Sequence, residues 1–325
     1  MKKVAIIVPE TAVIEAVADP RYLLLAVNQF LSQAGQQPLF EVQLVGQSKE
    51  VKVANGVFSI HTDAVISEAQ RPDLIIIPAL SGNLSDAISL NQSFLPWIRK
   101  NYQEGTEVAS LCLGAFLLAS TGLLNGKSCS THWLFAHDFR TMFPEVTLMD
   151  NRIITEQNGL YSSGGANSYW NLLLHLVEKY SSRELAVLAS KFFVLDINRK
   201  SQSSFSIFHG QKMHDDSAIK LVQEFIEEHF EKRITIEELA AQHNLGRRTF
   251  ERRFKKATNN SVIEYVQRVR IEAAKKALES GRKTITEVMF DVGYSDTKAF
   301  RDVFKKITGL SPTDYKQRYE KIGIE

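Results

Sequence analysis

Gly246–Thr258, GRRTFERRFKKAT, sets Arg247, Arg248, Arg252, Arg253, Lys255 and Lys256 against a single acid, Glu251. Phe250 and Phe254, four residues apart, give a helix here one apolar face and leave the basic side chains outside it. The stretch returns fifty residues later. Phe254-Lys255-Lys256-Ala257-Thr258, with Ser261 and Tyr265, reappears as Phe304-Lys305-Lys306-Ile307-Thr308, with Ser311 and Tyr315, and Phe250 returns as Phe300. A repeat of that period carrying a basic helix each time is one device used twice.

Working outward, Thr235-Ile236-Glu237-Glu238 is a capping-box pattern that opens a short helix before the basic one. Asn244 supplies the left-handed residue of a tight turn between them. Thr284-Ile285-Thr286-Glu287, the turn residue Gly293 and a cap at Ser295 or Asp296 repeat the scheme. Helix, short turn, basic helix is a helix-turn-helix, here expected in tandem. Ser217 is expected to cap a preceding helix with Ile219, Val222, Phe225, Ile226 and Phe230 inward. Val262, Val266, Val269, Ala273 and Ala277 mark one face of a long connecting helix. Two readers held about 34 Å apart would enter successive major grooves on one side of a duplex.

Charge agrees in direction. From Asp216 onward 22 Lys+Arg stand against 18 Asp+Glu, an excess of four, and the remainder of the chain is net acidic by two. A solvated helix face is the bland explanation of such a run, and the repeat is what argues against it.

Residues 1–197 read differently. Short apolar runs at Val4–Val8, Phe40–Val45, Leu74–Ile77 and Glu107–Leu111 alternate with amphipathic stretches, among them a helix Arg21–Leu31 following Pro20. That alternation predicts a mostly parallel sheet covered by helices on both faces. At 325 residues the chain has room for this α/β domain, a linker over 198–215 and an all-α domain over 216–325. Two cysteines make no disulfide framework, and no apolar run approaches a membrane span. A cytoplasmic protein without a membrane partner is expected. The scattered histidines predict no metal site, and no cofactor is expected.

Cys112 closes the strand in VASLCLGAF, with Gly114 two residues on. A residue on such a strand-to-helix elbow sits above the sheet edge beside backbone N–H groups, which favour a thiolate. A small buried cysteine is the alternative. His132, between Thr131 and Trp133, either lines the same pocket or is a core histidine, and Ser162-Ser163-Gly164-Gly165 offers backbone donors to it.

Ser110–Phe116, Gly122–Gly126 and Ser130–Trp133 together resemble the PfpI-type, class I glutamine amidotransferase-like superfamily, in its GlxA-type branch fused to transcription regulators. The resemblance implies a flavodoxin-like parallel sheet and an elbow cysteine. Its enzymatic members pair that cysteine with a histidine beside it and a glutamate from an early helix. Here Leu113 follows the cysteine and Tyr22 stands where the glutamate is expected, so the resemblance implies a pocket of Cys112, Leu113, His132 and Tyr22 without a catalytic set. Residues 217–320 resemble the AraC-type DNA-binding domain through Arg248–Phe254, Arg270, Asp291–Tyr294, Phe300, Phe304 and Thr308–Pro312. That likeness implies base reading by Arg248, Glu251 and Arg252 in the first helix and by Thr297, Lys298, Arg301 and Asp302 in the second. Arg247, Lys255, Lys256, Lys305 and Lys306 are the expected phosphate contacts. The expected partners are double-stranded DNA, a second copy of the chain, a small-molecule effector and RNA polymerase. The competing readings are a cysteine-dependent hydrolase or amidase, and a redox sensor, both acting through Cys112.

Overall fold

The computed structural model describes residues 1–197, 201–212 and 214–320. The chain forms two compact units, Met1–Gln202 and Ser203–Glu325. Of the expected linker, residues 198–200 and 213 lie outside the described residues. The remainder is no loose connector: Ser201 and Gln202 hydrogen-bond into the first unit, and Phe208, Gln211 and Lys212 into the second.

The first unit holds strands β1 (Lys2–Val8), β2 (Phe40–Gly46), β3 (Glu50–Val53), β4 (Phe58–His61), β5 (Ala64–Val65), β6 (Leu74–Ile77), β7 (Glu107–Ser110), β8 (Ser128–Cys129), β9 (Thr147–Leu148), β10 (Ile154–Gln157) and β11 (Leu160–Ser163). Its helices are α1 (Ile14–Gln33), α2 (Leu84–Leu90), α3 (Phe94–Gln103), α4 (Gly114–Ser120), α5 (Ala136–Met142), α6 (Tyr169–Tyr180) and α7 (Arg183–Phe192). The main sheet runs β10-β11-β7-β6-β1-β2-β5, parallel except for the edge pair β10–β11. Successive side chains of β1 enter opposite cores, as strand geometry requires. Val4, Ile6 and Val8 meet α1, α6 and α7, whereas Ala5 and Ile7 meet the face covered by α2 to α5. Buried on both faces, these strands have the continuous apolar character read in the sequence.

Helix α1 begins seven residues before the expected start, and Pro20 lies inside it, buried. Pro20 is the seventh helical residue, beyond the first four whose N–H groups have no intrahelical partner, so it deprives the Ala16 carbonyl of its usual donor. Its burial against the core is what holds the helix through it. The β3–β4 hairpin, turning through Ala54, Asn55 and Gly56 at positive φ, was not anticipated.

The second unit consists of α8 (Ser217–Glu228), α9 (Ile236–Gln242), α10 (Arg247–Thr258), α11 (Val262–Glu279), α12 (Ile285–Asp291), α13 (Thr297–Thr308) and α14 (Pro312–Tyr319). Capping boxes form at Thr235/Glu238, Ser261/Glu264 and Thr284/Glu287. Asp216, rather than Ser217, caps α8, because its carboxylate accepts the Ile219 N–H and also receives Arg253. Asp296 caps α13.

Helix α11 corrects the single-stripe expectation. Val262, Tyr265 and Val269 enter one core, and Ile271, Ala274 and Leu278 enter another. At 3.6 residues per turn those two triplets fall on roughly opposite faces. One helix of about 27 Å is thus the shared wall of two small cores.

Candidate functional site

The sequence echo is a repeat in space. Phe250 and Phe254 lie with ring centroids 5.8 Å apart, Phe300 and Phe304 5.7 Å apart. Phe254 meets Tyr265 at 5.4 Å, and Phe304 meets Tyr315 at 5.4 Å. Thr258 donates to the Phe254 carbonyl at 2.8 Å, and Thr308 to the Phe304 carbonyl at 2.9 Å. All four phenylalanines are fully buried. They are core, and only the opposite faces of α10 and α13 remain for recognition.

On α10, Arg248, Arg252, Lys255 and Lys256 are exposed. Arg253 turns inward to the Asp216 carboxylate, which it holds below the usual range. Arg247 is drawn between Glu237 and Glu251, the latter at 3.6 Å. The expected phosphate contact at Arg247 and the expected base contact at Glu251 are therefore already paired with each other. On α13, Thr297, Lys298, Arg301, Asp302, Lys305 and Lys306 are all exposed. The closing lysines of both helices also face the negative end of the helix dipole, the bland reason for their presence.

Arg270 joins the two halves. Its guanidinium donates to the carbonyls of Phe230 at 2.7 Å, Lys232 at 2.8 Å and Gly293 at 3.0 Å, and lies over the Tyr294 ring. Gly293 has φ +80°, and a Cβ there would overlap the Glu231 carbonyl. The second turn and the loop that follows α8 are pressed backbone to backbone. Asn244 has the left-handed φ expected of it, +52°.

In the first unit Cys112 occupies the elbow with φ +52°, a strained conformation for a side-chain-bearing residue. Ser163 Oγ accepts its N–H at 3.1 Å, and Thr131 Oγ1 donates to its carbonyl at 3.0 Å. A Cβ on Gly114 would stand 2.5 Å from the Pro78 carbonyl oxygen, so the elbow needs glycine there. The Leu113 and Ala166 N–H groups reach the thiol, as the elbow geometry predicts. Burial outweighs them: Cys112 is 5% exposed and its thiol is pushed up to about 11. Of the two readings open for Cys112, the small buried cysteine fits better, since two amide dipoles do not offset the cost of a buried thiolate.

His132 caps a short 3₁₀ turn, Trp133–Phe135, with Nδ1 accepting from the Leu134 N–H at 3.1 Å. Its ring packs on Gly165, whose hypothetical Cβ would lie 2.8 Å from His132 Cδ2. Burial lowers its pKa, which favours the neutral ring. Among the described residues no side-chain base hydrogen-bonds the Cys112 thiol. Leu113 is half-buried against both cores. Tyr22, at 56% exposure, does not line the elbow; it meets Phe193 edge-on at 5.2 Å. Asp19, one turn earlier, is the inward group. It accepts from Tyr169 at 2.6 Å, and burial raises its pKa. Only Pro20 being internal to α1 reveals which side of that helix Asp19 takes. The Gly165 N–H, expected to face the pocket as a donor, is taken by Gln202 Oε1 at 2.8 Å.

A doubly wound α/β unit with a residue-bearing elbow, followed by a duplicated helix-turn-helix, defines a two-part architecture. Residues 23–179 match the DJ-1/PfpI family, and residues 239–318 match a helix-turn-helix domain family. The chain carries a DJ-1/PfpI domain ahead of an AraC-type helix-turn-helix domain. It is 25% identical over 270 residues to the HTH-type transcriptional regulator GbdR of Pseudomonas aeruginosa, spanning 83% of this chain and 72% of the relative. It is 20% identical over 286 residues to the HTH-type transcriptional regulator GlxA of Rhizobium meliloti, spanning 87% and 86%. A crystal structure from Vibrio parahaemolyticus matches 59% of this chain and 98% of its own with a TM-score of 0.53 at 22% identity, a likeness of fold alone. Among the described residues no helix is long and apolar enough to cross a membrane, and no cluster of metal-ligating side chains occurs.

Proposed function

We propose that the chain is a sequence-specific DNA-binding transcriptional regulator whose DJ-1/PfpI domain binds a small-molecule effector and pairs two copies. The observation that carries the DNA reading is the duplicated reader itself, with two exposed helix faces fixed by Arg270. Aligned on Phe250 and Phe300, Arg248 matches Lys298, Glu251 matches Arg301 and Arg252 matches Asp302. The two helices therefore read different sequences, and the operator has two unlike half-elements per chain. Arg248 and Arg252 are the base readers of α10, with Glu251 steering through Arg247. Lys298, Arg301 and Asp302 read from α13, with Thr297 at its start. Lys255, Lys256, Lys305 and Lys306 hold phosphates.

The Cys112, Leu113 and His132 surroundings favour binding over catalysis. A thiol near 11 without a base is poorly suited to nucleophilic attack. Contact with RNA polymerase and work in the cytoplasm follow from the same reading. Gel shifts on the regions upstream of neighbouring genes test it. The proposal predicts salt-sensitive, sequence-preferring retention, and uniform weak binding to every duplex would refute it.

A further inference from the structure

The helix that both readers share has a third occupied side. Tyr265, Arg268, Glu272 and Lys275 recur three or four residues apart and form one row along α11. At 3.6 residues per turn that row runs between the two core-facing sides, and Arg270 leaves the helix opposite it. Residues 205–212, at the start of the second unit, lie along this row. Lys275 Nζ donates to the Ser206 carbonyl at 2.6 Å and to Glu272 at 2.8 Å, and Glu272 accepts the Phe208 N–H at 3.1 Å. The Phe208 ring meets Tyr265 edge-on with centroids 5.1 Å apart, and the Arg268 guanidinium stands over it at 5.8 Å.

The two ends of this stretch are fastened in different halves of the reader. Phe205 meets Tyr319 of α14 at 6.2 Å, and Lys275 stands over the Tyr315 ring, both beside the second core. At the other end the Gln211 carbonyl accepts from Gln223 Nε2 at 3.0 Å, and Gln211 Oε1 accepts from Asn260 Nδ2 at 3.1 Å. Lys212 pairs with Glu227 of α8 at 2.7 Å, so this end belongs to the helices that build the first core. Gly210 has φ +68°, and a Cβ there would overlap the Tyr265 hydroxyl. Lys275 is 4% exposed and Gln223 is fully buried. A buried ammonium and a buried amide both need such partners, so unseating the stretch would strand polar groups in both halves.

We propose that residues 205–212 are a strap that sets the separation of the two recognition helices, with Phe208 and Lys275 as its positioning residues. Arg270 ties the halves together on one side of α11 and the strap ties them on the other. Bending the halves about the shared helix toward either side breaks one of the two braces. This rests on the regulator reading, and it makes the distance between half-elements a determinant of specificity beside the bases that α10 and α13 read.

The test uses the full-length chain and an operator that it selects from random duplexes. Affinity is measured for that operator and for versions with one base pair inserted or removed between the two half-elements that one chain reads. An added base pair moves the second element by about 3.4 Å and turns it by about 35°. The wild-type chain should lose about ten-fold or more on the altered duplexes, whereas Phe208→Ala and Lys275→Met should lose less than about three-fold. That ratio isolates positioning, because a variant that is merely less folded binds every duplex less in the same proportion. Lys275→Met nearly conserves volume, so it decides the matter if far-UV circular dichroism shows Phe208→Ala to be unfolded. A wild-type ratio in the folded variants overturns the strap, and so does a wild-type chain indifferent to the spacing. A wild-type chain that prefers no duplex would instead refute the regulator reading, and the strap's role with it.

Discussion

Arg270 donates to the carbonyl of Gly293 at 3.0 Å, so a residue of the shared helix holds the turn of the second reader against the end of the first half. Arg270→Met should strand three carbonyls and cost roughly 2–4 kcal/mol. Gly293→Ala meets both a left-handed φ and the Glu231 carbonyl, and should cost at least about 2 kcal/mol. Urea unfolding of each variant gives the cost. Operator affinity should fall further than the stability loss explains, because the separation of α10 and α13 is no longer fixed.

The two tyrosines of the repeat allow an internal comparison. Tyr265 donates to Glu227 at 2.7 Å and accepts from Gln223 at 3.1 Å, whereas Tyr315 donates to Glu279 at 2.6 Å. Tyr315→Phe should cost about 1 kcal/mol, and Tyr265→Phe about twice that, because buried Gln223 loses a partner too. Equal costs measured by denaturant titration would count against the extra bond.

Reading and positioning residues are separable by salt. Arg252→Ala should weaken binding by about 1–3 kcal/mol at the preferred operator and relax the choice of one base. Lys255→Ala should weaken binding to all duplexes evenly and flatten the log-affinity against log-salt slope by about one unit. Arg247→Ala, already paired with Glu237 and Glu251, should change that slope less than Lys255→Ala. Filter binding across a salt series distinguishes the three.

Burial pushes the Cys112 thiol up to about 11, so alkylation by iodoacetamide should be slow at pH 8. It should accelerate about ten-fold per pH unit up to that value. The linkage has a definite sign. A thiol raised from 9.0 contributes stability that is complete below pH 9 and is lost as pH rises toward 11. Cys112→Ser should therefore reduce the alkaline loss of stability of the first unit, measured by melting between pH 8 and 10.5. A half-maximal alkylation rate near neutral pH would restore the nucleophile reading.

What the sequence laid open was periodic. Parallel strands buried on both faces show unbroken apolar runs, and capping boxes are local bonds between residues three apart, so both were legible. Cys112 and Gly114 also announced their elbow, because backbone sterics alone demand that spacing. Asp19 was not legible as the inward group, because Pro20 reads as the boundary of a helix beginning at Arg21, whereas α1 runs through it from Ile14.

By itself, then, the chain determined that a basic helix is used twice, between capped helices and behind an α/β domain, since each rests on contacts within a few residues or on strict repetition. Tertiary structure alone decided which charges are left to meet DNA and what holds the readers apart. Gly246–Thr258 contains six cations, yet Arg253 is spent on Asp216 and Arg247 on Glu237, thirty-seven and ten residues away. Whether an arginine reads a base or braces a fold depends on its nearest carboxylate in space, and sequence spacing does not carry that distance.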